Sequence, residues 1–139
     1  MNKNEAMIEY LRQYPDIQSF LYFNYSEDEA GNTSIATSYG EAWEKRYVGG
    51  HGIKAYDFAL VMFQPQDDGT NKNNAQAMYD VQKYMDWIDA QNKARNFPNF
   101  EGCEVLSIEN LQNEPNFAGT NESGDVAKYM FQCRARYYE

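Results

Sequence analysis

The chain has little of what most enzyme chemistry is built from. Among 139 residues there are one histidine, two cysteines and four prolines. Zinc sites need clustered Cys and His, and one His with two distant Cys does not supply them. Basic residues are also scarce, twelve Lys+Arg against twenty-one Asp+Glu, for a formal charge of −9. A basic stripe is the electrostatic footprint of a nucleic-acid binder. Here the densest basic groups are only Lys45-Arg46 and the pair Arg134 and Arg136, so no specific nucleic-acid binding is expected. No run approaches the roughly 20 apolar residues that span a bilayer. The opening Met1–Glu5 is polar and leads into an amphipathic pattern, so neither a signal peptide nor membrane association is expected. In the cytoplasm implied by that reading, Cys103 and Cys133 stay reduced, as core thiols of strand-like runs.

What is present is a core-forming composition. Hydrophobic residues make up 42% and aromatics 16%, too rich for a disordered chain. One domain spanning 1–139 is expected, since single cores are built from about 100–150 residues. The aromatics are skewed to twelve Tyr against two Trp. Tyrosine has an apolar body and a polar tip, which suits half-buried sheet faces and protein interfaces.

Periodicity places the elements. Met7, Ile8, Leu11 and Tyr14 predict a helix over 4–14, ended by Pro15. Strands are predicted over 19–25, 33–39 and 41–48, with an acidic turn at 26–32 and a break at Gly40. Gly49-Gly50-His51-Gly52 predicts a tight hairpin into a strand over 53–63. That strand has Tyr56, Phe58, Leu60 and Met62 on one face and Ala55, Ala59, Val61 and Phe63 on the other, the pattern of a strand covered on both sides. A polar loop over 64–73 precedes a long helix over 74–93 with its stripe at Met78, Val81, Tyr84, Met85 and Ile88. Asp89 and Lys93 are spaced to pair on that helix. After a connection through Pro98, a strand over 103–111 sets Val105 opposite Leu106 and Ile108 in the pleat, and a long loop covers 112–124. The last strand, 125–138, alternates Ala127, Tyr129, Phe131, Cys133, Ala135 and Tyr137 with Lys128, Gln132, Arg134 and Arg136. The fold class expected is α+β, a mostly antiparallel sheet packed against two main helices.

The motif search returns no catalytic, cofactor or metal residues. His51 lies in a glycine turn with no Gly-x-Ser-x-Gly elbow to partner it, and the thiols that could pair with it are on the core side. Gly49–Gly52 is followed by a strand, whereas phosphate cradles lead into a helix. Asp67-Asp68-Gly69 resembles a calcium loop only superficially, since no bidentate Glu closes it. Asp57 stands out, because it interrupts an apolar strand. It reads either as a strand-end carboxylate bonded to the neighbouring hairpin, or as a subunit-interface ion pair with Arg134 and Arg136, since bidentate Arg–carboxylate pairs give geometric specificity. An acyltransferase-type enzyme would need an activated histidine with an acidic partner, and no motif around His51 supplies one.

Four blocks carry a resemblance: Tyr47–Gly50 with Ile53–Phe58; Trp87-Ile88-Asp89-Ala90-Gln91-Asn92 closing the long helix; the connection through Pro98; and Ala127-Lys128-Tyr129, Gln132-Cys133-Arg134 and Tyr137-Tyr138-Glu139. In order and spacing over 45–139 they resemble the tail terminator (minor capsid-type) proteins of long-tailed phages and prophages of Gram-positive bacteria. The enlarged turn at His51-Gly52 and the Asn-rich 112–124 stretch depart from that pattern. The resemblance implies a structural, non-enzymatic protein of the host cytoplasm and the virion tail. It implies a homo-oligomeric ring, a hexamer, that ends the tail tube and joins the head. Its partners would be copies of itself, the tail tube protein and a head–tail connector protein. It brings no cofactor and no catalytic residue. Another neck or tube component of the same particle is the alternative with the same composition. A ring through which DNA passes should not grip it, so part of the negative charge is expected to line the lumen.

Overall fold

The computed structural model describes residues 2–16, 21–23, 33–37, 43–65, 73–120 and 124–139. Helix α1 (Lys3–Leu11) begins at Asn2, whose side chain accepts a 2.8 Å hydrogen bond from the Glu5 amide while its own amide donates to Glu5 Oε1. This reciprocal pairing satisfies N-terminal donors that a helix leaves open. The helix stops three residues short of the expected end. The amides of Gln13 and Tyr14 bond back three residues, to Tyr10 and Leu11, which tightens the chain into a turn before Pro15.

The sheet is organised around two long strands. β4 (Gly52–Pro65) and β7 (Val126–Tyr138) pair antiparallel over thirteen positions, from Ile53 with Tyr138 to Pro65 with Val126. Each is flanked on its other side by two shorter strands placed end to end. β2 (Thr33–Thr37) and β3 (Trp43–Arg46) share the free side of β4, and β5 (Glu104–Asn110) and β6 (Asn116–Thr120) share that of β7. β1 (Leu21–Phe23) completes the sheet by pairing with β2 in parallel. The α+β architecture is as expected, but this one parallel pair and strand β6 are not. The Asn- and Gly-rich 112–124 stretch carries β6 because a neighbouring strand offers a backbone ladder whatever the side chains. The Asp67-Asp68-Gly69 turn and the Gly40 break lie outside the described residues.

β4 sits centrally because both its faces are apolar. Phe58, Leu60 and Met62 join Phe131, Cys133 and Ala135 of β7 in the main core, beneath α1 and α2 (Asn73–Ala94). Val61 and Phe63 pack with Val126 and Met130 on the opposite face. α2 lays Val81, Tyr84, Met85 and Ile88 on the core. It ends in a Schellman turn with Arg95 at φ 55°, where the Asn96 amide reaches the Gln91 carbonyl and the Arg95 amide that of Asn92. An isolated helix as short as α1 is marginal in water, so packing holds it. Met7 and Leu11 are fully buried, and the Tyr84 hydroxyl donates 2.7 Å to the Leu11 carbonyl.

Val105 and Ile108 do not oppose each other as the alternation predicted. The register slips between Val105 and Ser107, leaving Leu106 as the extra residue of a β-bulge. Val105 therefore faces Tyr137 and Ile108 faces Ala135, both on the helix side.

Candidate functional site

The charged residues singled out in the sequence meet on the sheet face turned away from the helices. Odd positions of β4 and even positions of β7 point that way, so Asp57 and Arg134 stand directly opposite each other. Arg134 Nε lies 2.7 Å from Asp57 Oδ1 and Nη2 3.1 Å from Oδ2, a bidentate pair. Glu44 joins from β3. It is the extra residue of a bulge between Trp43 and Lys45, which re-aims its side chain across the sheet. Its two oxygens take Arg134 Nη1 at 3.4 Å and Arg136 Nε at 2.7 Å. Arg136 Nη1 donates to Glu109 of β5, diagonally across the ladder. Five side chains on four strands thus form one network of three carboxylates and two guanidiniums. Their pairing raises the pKa of both arginines, Arg134 chiefly through its bond to Asp57 and Arg136 chiefly through that to Glu44.

The sequence placed Asp57 with Arg134 and Arg136, and the structure brings all three together within one chain. The bidentate bond is an intrachain cross-strand contact with Arg134, not a strand-end bond to the hairpin, and Arg136 is held by Glu44 and Glu109 instead. Both glutamates were missed. Glu44 carries no signal in the alternation because a bulge sets its direction, and Glu109 shares a face with Arg136 only through the β5 register.

His51 is exposed. Its Nδ1 lies 3.3 Å from the Glu139 carbonyl and its ring stacks on Tyr138 at 6.1 Å. Neither thiol touches it. Cys133 is fully buried on the helix side, where desolvation pushes its pKa well up and keeps it a thiol. Burial likewise raises Tyr10 and Tyr84, and pushes Tyr56 up to about 12, so these phenols stay neutral. Their hydroxyls donate to the Asn96 carbonyl, the Leu11 carbonyl and Asn4 Oδ1. Asp89 does not pair with Lys93 but accepts from the Asn110 side chain at 2.9 Å. Among the described residues no three or more His, Cys, Asp or Glu gather as a metal would require, and no helix is long and apolar enough to cross a membrane.

The β3–β4 hairpin projects a different kind of feature. Its turn closes with the Tyr47 amide on the His51 carbonyl at 2.7 Å, and Gly49 and Gly50 take φ of 101° and 85°, which side-chain-bearing residues rarely adopt. Tyr47 is half-exposed and Val48 wholly bare. Trp43 at the hairpin base is flanked by Lys54 Nζ at 4.3 Å and the Arg46 guanidinium at 5.1 Å. Shallow grooves lie elsewhere among the described residues. One of about 160 Å³ runs between α1 and the 97–101 connection, and one of about 250 Å³ lies between the far end of β4 and the start of α2.

No family model matches the chain, and no curated protein matches it.

Proposed function

We propose that this chain is a structural assembly subunit of the tail terminator kind: a ring on the end of a phage tail tube that stops tube growth and presents the head-joining surface. The observation that carries the reading is the β3–β4 hairpin tip, Tyr47-Val48-Gly49-Gly50. A rigid turn that holds a valine and a tyrosine in water is what a neighbouring subunit covers. The four sequence blocks of the resemblance support it by their placement. Two of them are the paired strands β4 and β7, and a third closes α2 through Trp87, whose ring meets Tyr10, Tyr14 and Tyr84 within 5.8 Å.

The Asp57–Arg134–Arg136 network suits a surface to be covered. Its guanidiniums are already paired within the chain, so a docking subunit strands no unpaired cation. In such a ring the residual negative charge lines the lumen and keeps DNA from sticking.

The test is electron microscopy and sedimentation of the purified protein over a wide concentration range, followed by its addition to polymerising tube protein. Small rings with a central hole, and tubes shortened in proportion to added protein, are expected. Co-polymerisation into longer tubes would make it a tube or neck component. A monomer at every concentration that leaves tube length unchanged would overturn the reading.

A further inference from the structure

The hairpin tip and the larger groove sit at opposite ends of the same ribbon. The tip follows the Gly52 end of β4, and the groove is lined by Gln64 and Pro65 at its other end with Gln76, Ala77 and Asp80 of α2. At about 3.3 Å per residue the thirteen intervening steps separate them by roughly 43 Å.

Their charges are complementary. At the tip, Lys45 and Arg46 are exposed and form no ion pair with any described residue, whereas the acids around them are engaged. Glu44 is held by Arg134 and Arg136 on the far face, and Glu139 by Lys54 at 2.8 Å. The tip therefore shows two positive charges without an ion-pair partner among the described residues, around a bare Val48, in a chain of formal charge −9. At the groove the pattern inverts. Among the described residues Asp80 accepts the Gln76 amide at 3.0 Å and has no ion pair, and the nearby cation Lys83 is taken by Asp16 at 3.0 Å. The groove floor is apolar at Pro65 and Ala77, and its volume of about 250 Å³ admits a valine side chain with room for part of Tyr47.

We propose that the β3–β4 tip of one copy of this chain docks in the Pro65–Ala77–Asp80 groove of a second copy, with Val48 on the apolar floor and Lys45 and Arg46 beside Asp80. The contact is head-to-tail, so it repeats and closes into a ring where the rotation permits. It rests on the assembly reading above and names the surfaces that would perform it.

Two variants test it: Val48→Asp on the exposed tip, and Gln76→Arg with Asp80→Arg on the exposed and half-buried rim of the groove, which spoils the groove. Each is compared with the unaltered chain by sedimentation velocity. The unaltered chain is expected to self-associate, and each variant alone to lose at least tenfold in association constant. An equimolar mixture of the two variants forms a heterodimer and nothing larger, because one intact tip meets one intact groove. If both variants assemble as well as the unaltered chain, this contact is wrong while the assembly reading stands. If each variant is monomeric but the mixture stays monomeric too, the tip does not meet the groove. If the unaltered chain itself never associates, both readings fall together. Circular dichroism and thermal melting of each variant separate a lost contact from a lost fold.

Discussion

On the helix side of the sheet, Phe58, Leu60, Phe131 and Cys133 are fully buried under α1 and α2. On the other side the same two strands carry Asp57, Arg134 and Arg136, with side chains 12%, 29% and 33% exposed. The helix side is held by apolar burial, which is non-directional and scales with area. The charged side is held by oriented pairs whose energy is modest in partial contact with water. The helix side therefore supplies most of the stability, while the charged half of the other face, beside the smaller apolar cluster of Val61, Phe63 and Val126, fixes register and leaves a polar surface for contact.

The sharpest way to break this comparison is to empty the helix side. Phe131→Ala should destabilise the protein by about 3–5 kcal/mol in denaturant titration, through lost burial and the cavity left behind. A loss under about 1 kcal/mol would mean that the helices contribute little.

Alkaline pH separates the faces next. Cys133 and Tyr84 have pKa values raised by burial, so above about pH 9 the unfolded chain releases protons that the folded chain retains. The unfolded state then binds fewer protons, and stability falls as pH rises. The unfolding midpoint should therefore drop between about pH 9 and pH 12, whereas the arginine network stays charged throughout. The loss at pH 9–10 should shrink in Cys133→Ala, measured as the difference in slope. In the same window Cys133 should resist alkylation until the protein unfolds.

A smaller effect is expected where a single buried hydrogen bond is removed. Tyr84→Phe removes the shorter of the two hydrogen bonds to the Leu11 carbonyl, leaving the Tyr14 amide at 3.3 Å, and should cost about 1 kcal/mol. Amide exchange in α1 should rise before that of β4.

The smallest belongs to the charged face. Asp57→Asn and Arg134→Met, taken singly and together, should give a coupling of about 0.5–1 kcal/mol that shrinks as salt is raised from 0.05 to 0.5 M, values chosen to span the screening range. A coupling above about 3 kcal/mol, insensitive to salt, would place this network on the same footing as the core and erase the distinction.

The amino-acid sequence by itself determined the α+β class, the two helices, the long strands β4 and β7 and the face each of their residues takes, though not that the two strands pair. Those features follow from local periodicity, and in β7 burial alternates from Ala127 through Tyr138. The sequence also marked Asp57 as out of place in an apolar strand and offered Arg134 and Arg136 as partners in one of two readings; the β4–β7 register decided for Arg134. Only the tertiary structure decided what depends on partners distant in the chain. The bulges at Glu44 and Leu106 shift side-chain direction by one residue, and nothing in the alternation marks them. Strand β6 forms because β7 offers it a ladder, and Asn92 turns its side chain to the edge amide of Ile108, 3.0 Å away. The tip and the groove became two ends of one surface only when thirteen paired positions of β4 and β7 set them apart along a single rigid ribbon.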